Sequence, residues 1–257
     1  MLSKYFIAKT GTKKFDDDMK WSMGEIYGKR VIIYGAGEDF LELNKRYKFN
    51  KNLNIVAIAD KRFETENFVD FYGMRAIKPA DIAKEDYDVI LISNEDTKPA
   101  LDYVFNDLKI EGKDVRTMFN EEVKDERENY LYLDSFNFDK TLPKLVKKLK
   151  NKKVVLYGAG TFLELIKKYY DISGLDVVAI ADKKFENHGE NDLFLGYKVI
   201  SPEEILATNP DYIVVSTKMY VNIVEELYSN IVKGTKIKIK PLVKKSFVSL
   251  LKEVFNR

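Results

Sequence analysis

The sequence predicts an α/β protein with two tandem, doubly wound parallel sheets produced by an internal duplication. The hexapeptide VAIADK occupies Val56–Lys61 and recurs at Val178–Lys183. Each copy follows a YGAG tetrapeptide, at Tyr34–Gly37 and Tyr157–Gly160. An apolar run, a glycine turn, a helix-length stretch and a second apolar run ending in Asp is the start of a nucleotide-binding βαβ unit. Because the pattern occurs twice, the chain is predicted to hold two ligand clefts.

The duplication extends over most of each half. The two halves align at a shift of 123 residues, with one residue lost after the second pair of glycines. The aligned segments are Val31–Gly37 with Val154–Gly160, Gly73–Pro79 with Gly196–Pro202, and Asp88–Ser93 with Asp211–Ser216. The charged run 121–128 is predicted to be a linker. We therefore expect a first domain over residues 1–125 and a second over residues 126–257.

Each half has the same predicted order of elements. Short β-branched runs alternate with helix-length patterns, which predicts a parallel sheet with helices on both faces. In the first half, a lead-in helix is followed by a strand over Val31–Tyr34, a helix over Asp39–Tyr47 and a strand over Ile55–Ala59. A short strand near Met74–Ile77 and a brief helix after Pro79 come next. A strand over Val89–Ile92, a helix over Pro99–Leu108 and a strand near Val115–Met118 complete the half. This order predicts a Rossmann-like domain, with the glycine turn at the carboxyl edge beside the point where the strand order reverses.

The glycine turns are the first candidate binding residues. Gly35, Ala36 and Gly37 form one turn, and Gly158, Ala159 and Gly160 form the other. In the G-x-G-x-x-G fingerprint the first Gly makes the turn, the second admits a phosphate and the third lets the helix pack closely. The third position holds Phe40 in one half and Leu163 in the other. We expect these bulky residues to narrow the seat for a diphosphate.

Two further pairs of residues are predicted at the same edge of each sheet. Asp60 and Asp182 end the second strand, where a carboxylate can accept hydrogen bonds from ribose hydroxyls. The alternative is an Asp that caps the turn after it. Ser93 and Ser216 follow the fourth strand and could line the cleft, or else cap a helix. All four are candidate ligand contacts.

Composition excludes several classes of function. The net charge of +2, from 43 basic and 41 acidic residues, predicts no general affinity for nucleic acid. The chain has no cysteine, which excludes disulfides, a thiol nucleophile and thiolate metal ligands. No run approaches the roughly 18 apolar residues of a membrane span. We expect a soluble, cytoplasmic protein.

Groups for catalysis or for metal binding are not evident. The single histidine, His188, lies in a polar loop and has no His or Cys companion, so no metal site is predicted. The run Asp16–Asp18 has the spacing of a metal-binding D-x-D, but its repeat partner, Asp139, begins a helix. We therefore interpret these acids as helix caps. Catalytic residues stay unassigned.

The motifs V-x-x-YGAG, VAIADK, GYKVISPEEI and DYIVVS resemble those of small Rossmann-like domains attached to bacterial surface-polysaccharide enzymes. These enzymes are sugar acyltransferases, membrane nucleotide-sugar dehydratases and sugar methyltransferases. The resemblance implies a nucleotide or nucleotide-sugar ligand, contacted by Gly35, Gly37 and Asp60 and by their counterparts Gly158, Gly160 and Asp182. The catalytic domains that accompany such modules are absent from this sequence.

Three hypotheses for function follow. The first is a protein of bacterial surface-glycan biosynthesis that binds a nucleotide or nucleotide sugar and either acts with a partner enzyme or has transferase activity of its own. Its expected protein partner is a second copy of the chain or a glycan enzyme. The second is an NAD(P)-dependent oxidoreductase or epimerase, and the third is a structural module with vestigial clefts. Because His188 and the lost residue after Gly160 distinguish the second cleft, we predict unequal affinities.

Overall fold

The structure, a computed structural model, describes residues 2–66, 68–120 and 125–244. The chain divides into two compact units, Met1–Glu121 and Glu122–Arg257. The predicted domain boundary after residue 125 stays a prediction, and residues 121–124 of the predicted linker lie outside the described residues. The linker prediction is wrong from Glu126 onward, because a helix begins there.

The first unit contains one six-stranded sheet. Its strands are β1 (Arg30–Tyr34), β2 (Asn54–Ala59), β3 (Asp70–Phe71), β4 (Met74–Ile77), β5 (Val89–Ile92) and β6 (Asp114–Thr117). They lie in the order β3-β4-β2-β1-β5-β6. All neighbours are parallel except β3, which pairs antiparallel with β4 as a short edge strand.

The second unit repeats this arrangement. Its strands are β7 (Lys153–Tyr157), β8 (Asp176–Ala181), β9 (Leu193–Phe194), β10 (Tyr197–Ile200), β11 (Tyr212–Val215) and β12 (Lys238–Pro241). Their order, β12-β11-β7-β8-β10-β9, is the same as that of the first sheet when it is read from the opposite edge. The predicted fold class is therefore confirmed: two tandem Rossmann-like sheets, each with its strand order reversing beside the strand that leads into the glycine turn.

Nine described α-helices flank the sheets. They are α1 (Lys4–Thr10), α2 (Lys13–Glu25), α3 (Glu38–Tyr47), α4 (Phe49–Asn52), α5 (Thr97–Asp102), α6 (Glu126–Ser135), α7 (Phe138–Lys148), α8 (Thr161–Tyr169) and α9 (Tyr220–Leu227). A π-helical turn continues α5 and α9, over Tyr103–Asp107 and Tyr228–Val232. Two helices, rather than the one predicted, precede the first strand of each unit. Among these helices, none has the length and apolar character that crossing a membrane requires.

The central strands are buried on both faces, which explains their continuous apolar runs. In β1, Val31 and Ile33 face a core formed with α2 and α3. Ile32 and Tyr34 face a second core formed with α5. The second unit has the same two layers of core on either side of β7. Each glycine turn is thereby held at the carboxyl end of a strand that packs on both sides.

One irregularity occurs at the same place in both sheets. The pairing of β1 with β2 shifts register between Val31 and Ile32. The pairing of β7 with β8 shifts between Val154 and Val155, which are the repeat partners of those two residues. A shift of one residue changes the face to which later side chains point, so its position in a buried strand is strongly constrained.

The edge hairpins were not predicted from the sequence. Each turns through a non-glycine residue with positive φ followed by a glycine. The first turn consists of Tyr72 (φ 53°) and Gly73 (φ 80°), and the second of Leu195 (φ 54°) and Gly196 (φ 80°). Two successive residues with positive φ make the two-residue turn whose twist matches that of paired strands. The hairpins therefore use a conformation that Asn or Gly adopts more easily than Tyr or Leu.

Candidate ligand-binding clefts

The first glycine of each turn is fixed by backbone conformation and by close packing. Gly35 and Gly158 have φ of 107° and 106°, a region that side chains rarely adopt. A Cβ on Gly35 would collide with Asn94 Oδ1 and lie 2.7 Å from Ser93 Oγ. A Cβ on Gly158 would collide with Thr217 Cγ2. These turns therefore require glycine where the ends of two neighbouring strands meet.

The second glycine of each turn faces open space. A Cβ on Gly37 or Gly160 would meet no atom within 4 Å. Each is the N-cap of the following helix, α3 or α8, and neither helix has a side-chain cap. The first-turn N–H groups of both helices therefore have no capping side chain, which is the arrangement that accepts an anion at a helix N-terminus.

Asp60 and Asp182 hold the glycine turns with both carboxylate oxygens. Asp60 Oδ2 accepts from Ala36 N at 2.7 Å, and Oδ1 accepts from Arg62 N at 2.9 Å. Asp182 accepts from Ala159 N at 2.6 Å and from Lys184 N at 3.0 Å. The structure thus shows the turn-capping role that was the alternative interpretation. A contact with ribose stays a prediction.

A cation lies over each turn, and sequence reasoning missed it. The Arg62 guanidinium donates to the Ala36 carbonyl, and the Lys184 ammonium donates to the Ala159 carbonyl. Arg62 Nε also pairs with Asp60 Oδ1 at 3.2 Å. Both residues stand two positions after the Asp that ends the second strand, and this repeated D-K-[RK] pattern was the available signal.

Ser93 and Ser216 are buried and fix the same turns from the other side. Ser93 Oγ donates to the Gly35 carbonyl at 2.6 Å, and Ser216 Oγ donates to the Gly158 carbonyl at 2.7 Å. The alternative that they cap helices is wrong, because the residues that precede α5 and α9 are Asp96 and Met219. Their contact with a ligand stays a prediction.

The residue after each serine carries a buried polar atom without a hydrogen-bond partner. Asn94 Oδ1 and Thr217 Oγ1 are buried and have no hydrogen-bond partner among the described residues. Asn94 Oδ1 itself lies against Gly35, whereas Thr217 meets Gly158 through its methyl group. Buried polar atoms normally have partners, so an unpaired one needs an explanation. Its occurrence at the same repeat position in both units marks this edge of the sheets as a candidate ligand site.

An open cleft of about 300 Å³ lies at this edge in the first unit. Its lining brings together several of the predicted residues, Gly35 and Asp60 among them, with Tyr34, Lys61, Asn94 and Asp96. The two units differ sharply in charge here. Around the first turn lie the acids Glu38, Asp39, Glu95 and Asp96; in the repeat alignment Glu38 has no counterpart, and the others become Thr161, Lys218 and Met219.

Contacts place these differing residues at the turns. Asp39 Oδ2 accepts from the backbone N–H of Glu95 at 3.1 Å, beside the N-terminus of α3. In the second unit, Lys218 Nζ lies 5.8 Å from the ring centroid of Phe162, in the first turn of α8. The first turn of α3 therefore carries two carboxylates, Glu38 and Asp39, whereas the first turn of α8 carries one, Glu164, and has an ammonium group near its Phe162.

The groups considered for metal binding do not form a site. Among the residues that the structure describes, no cluster of His, Asp or Glu is arranged to hold a metal ion. Asp16 and Asp139 lie in the first turns of α2 and α7, as expected, but the N-caps are Thr12 and Asn137. His188 lies in a loop, with Nε2 2.7 Å from Glu204 Oε2. Its hydrogen bond with the Gly189 carbonyl, and then that with Glu204, raise the pKa of His188.

Three solved structures match most of the chain. Dipicolinate synthase A chain from Bacillus subtilis is 10% identical, with a TM-score of 0.36, and the match covers 89% of this chain and 94% of that chain. Shikimate dehydrogenase from Aquifex aeolicus is 15% identical, with a TM-score of 0.27 and coverages of 87% and 88%. A chorismate mutase/shikimate 5-dehydrogenase fusion protein from Clostridium acetobutylicum is 16% identical, with a TM-score of 0.29 and coverages of 88% and 90%. At these values the similarity carries no information about ligand or activity.

Sequence comparisons give the family. No curated protein matches the sequence. One family model matches twice, over residues 27–115 and again over residues 150–238, so that it covers most of both units. Each match includes the glycine turn, the Asp after the second strand and the Ser after the fourth. The chain belongs to the family described as C2185-like, N-terminal, and carries two copies of its domain.

Proposed function

We propose that the chain binds a nucleotide or a nucleotide sugar, and that the second unit holds its phosphate at the glycine turn. The charge around that turn carries the proposal. Lys184 contacts the Ala159 carbonyl, and Lys218 lies beside the first turn of α8. The dipole and first-turn N–H groups of a helix N-terminus favour an anion. The ammonium groups of Lys184 and Lys218 are the cations nearest this terminus, and they support phosphate binding beside the carboxylates of Asp182 and Glu164.

The first cleft lacks this balance. Glu38 and Asp39 occupy the first turn of α3, where their own carboxylates already interact with the helix dipole. Glu95, which accepts a hydrogen bond from Ser3 Oγ, and Asp96 add two more carboxylates at the same edge. A phosphate there would be repelled by like charges. The hypothesis of a vestigial cleft therefore applies to the first unit rather than to the whole chain.

The pathway and the cofactor are parts of the same proposal. The sequence resemblance supports a role in bacterial surface-glycan biosynthesis, with a partner glycan enzyme or with transferase chemistry of the chain itself. NAD(P) is the alternative ligand. The structure gives it no added support, because the third glycine of the dinucleotide fingerprint is replaced by Phe40 and Leu163, both fully buried against the sheets.

A thermal-shift screen followed by calorimetric titration tests the proposal. The ligands are UDP, UDP-glucose, CDP-linked sugars, NAD, NADP and S-adenosylmethionine. A ligand at 100 times its Kd stabilises the folded protein by about 2.7 kcal/mol. We expect UDP or a nucleotide sugar to raise the melting temperature and to bind at one site. Stabilisation by NAD alone would favour the oxidoreductase hypothesis, and no response to any ligand would refute nucleotide binding.

Matched variants locate the site. Lys184→Gln and Lys218→Glu should each weaken binding by roughly tenfold or more, since a hydrogen bond to a charged group contributes about 1.5–3 kcal/mol. Arg62→Gln removes the equivalent cation from the first unit and should leave the affinity unchanged. Equal losses in Arg62→Gln and Lys184→Gln would show that the two clefts bind alike, against the predicted difference.

A further inference from the structure

A second cavity in the second unit lies below the glycine turn, between β7 and α9. It has a volume of about 270 Å³. Its apolar wall is formed by Pro202, Leu206, Leu227 and Ile231. Its polar lining consists of Tyr157, Lys183, Asn230 and three glutamates, Glu186, Glu203 and Glu226. This volume is just below the range of about 300–1,000 Å³ that accommodates drug-sized ligands, so the cavity is suited to a single ring.

The phenol of Tyr157 supplies a hydrogen-bond donor to this cavity. Tyr157 is 4% exposed and lines the cavity from the carboxyl end of β7. Burial, with the negative charges of Glu226, Asp182 and Glu203, raises the pKa of Tyr157 to about 12. The hydroxyl therefore stays protonated and can donate into the cavity.

The rest of the lining offers both donors and acceptors. Lys183 Nζ pairs with Glu226 Oε1 at 2.5 Å, and this hydrogen bond is the main cause of the raised pKa of Lys183. Glu186 and Glu203 contribute further negative charge around the same ammonium. An anion would be repelled by the three carboxylates. A simple cation could not accept a hydrogen bond from the phenol.

The first unit shows what closes this cavity. The position of Glu226 in the repeat is occupied there by Tyr103. The Tyr103 ring stacks on Tyr34, with centroids 6.1 Å apart, and Lys61 Nζ lies 3.7 Å from the Tyr103 centroid. An aromatic ring thus covers the tyrosine that ends β1, whereas a carboxylate borders the tyrosine that ends β7.

We propose that this cavity binds a hydroxylated ring, either a hexose or a ribose, with its C–H face on the apolar wall and its hydroxyls on Tyr157, Lys183 and the glutamates. A hydroxyl donates and accepts at once, which matches the mixed lining. Because Tyr157 immediately precedes Gly158, the ring and a phosphate at the turn can belong to one ligand. That last step rests on the proposed function, whereas the ring site itself does not.

Methyl-resolved NMR of the whole protein tests the site without any phosphate. The methyl signals of Leu227 and Ile231 are followed during titration with methyl glucoside, ribose, spermidine and inorganic phosphate. We expect saturable shifts with a neutral ring, at a Kd on the order of millimolar, as befits a small fragment. The lower Kd of the two neutral rings identifies the source as hexose or ribose. Shifts from spermidine but not from a neutral ring, or no shift from any ring, would overturn the proposal.

Variants separate this site from the phosphate site. Tyr157→Phe keeps the ring and removes one hydroxyl, so it should weaken binding of the neutral ring by roughly threefold to tenfold. Glu226→Tyr introduces the residue of the first unit and should abolish binding. Tyr34→Phe is the matched control and should change nothing; undiminished binding in both Tyr157→Phe and Glu226→Tyr would refute the site. If neutral rings bind while UDP does not, the ring site stands and the proposed function falls.

Discussion

In both units a tyrosine and a basic residue at the end of the helix after the glycine turn contact one acid, but the burial of that acid differs. In the first unit, Tyr47 and Arg46 at the end of α3 both contact Asp16, at 2.5 and 2.8 Å. In the second unit, their counterparts Tyr169 and Lys168 both contact Glu126. The Asp16 side chain is 31% exposed, whereas that of Glu126 is fully buried. The duplication therefore preserved the two contacts and changed the acid that receives them.

The two clefts likewise share their framework residues and differ in the residues around them. Each unit retains the glycine turn, the Asp that caps it and the Ser that supports it, with nearly equal distances. The charges that a ligand would meet differ between the units, because Lys218 and Met219 stand where the first unit has Glu95 and Asp96. What builds the turn is shared, and what would select a ligand is not.

The largest difference is expected from breaking the two acid contacts. Lys168→Met removes an ammonium that pairs with the fully buried Glu126 carboxylate and should cost about 3 kcal/mol of stability. Arg46→Met breaks an exposed pair and should cost less than about 1 kcal/mol. Hydrogen exchange read separately over each unit measures both losses. Equal losses would mean that burial of Glu126 does not set the energy of its contact.

Substitution of the glycines should affect both units alike. Gly35→Ala and Gly158→Ala force a side chain into a positive-φ conformation and against a neighbour, so each should cost at least about 1–3 kcal/mol. Gly37→Ala is the control, because its Cβ would meet nothing within 4 Å, and its cost should be below about 1 kcal/mol. Chemical denaturation gives the values. A tolerated Gly158→Ala would show that the two turns are not equivalent.

A pH effect is expected from the second unit through His188 and Glu204. The pKa of His188 lies above its ordinary 6.5, so its contribution to stability is complete below that pH and is lost as the pH rises through the raised value. Hydrogen bonds from His188 and from the Ser201 backbone lower the pKa of Glu204 to about 2, so its contribution is present above 4.5 and declines toward pH 2. His188→Gln should flatten the loss of melting temperature above pH 6.5. An unchanged slope would contradict this assignment.

The smallest effect concerns the edge hairpins. Tyr72→Asn places a residue that tolerates positive φ at an exposed turn and should stabilise the protein by roughly 0.5–1 kcal/mol. Leu195→Asn makes the same change in the second unit, but Leu195 packs partly against the core there. We expect that loss of apolar packing to cancel the gain. Melting temperatures of the two variants decide the point, and equal stabilisation would contradict it.

The sequence was sufficient to predict the strands and the glycine turns, because a buried β-branched run and a glycine needed at positive φ can both be recognised in the local sequence. It was not sufficient for the partners of Asp60 and Asp182, because the alternatives of turn cap and ribose contact require the same residue at the same place. The difference between Tyr103 and Glu226, which occupy the same position of the repeat, could not be interpreted from the sequence either. Its effect depends on Tyr34 and Tyr157, which lie some 69 residues earlier in the chain and come near only through the fold.

The register shift shared by the two sheets bears on the history of the chain. A shift between Val31 and Ile32 and another between Val154 and Val155 interrupt the same pairing at the same step. Gaining such a defect twice would require each buried strand to rearrange its contacts on both faces independently. The irregularity therefore belonged to the single ancestral domain, and it was inherited by both descendants before their clefts diverged in charge.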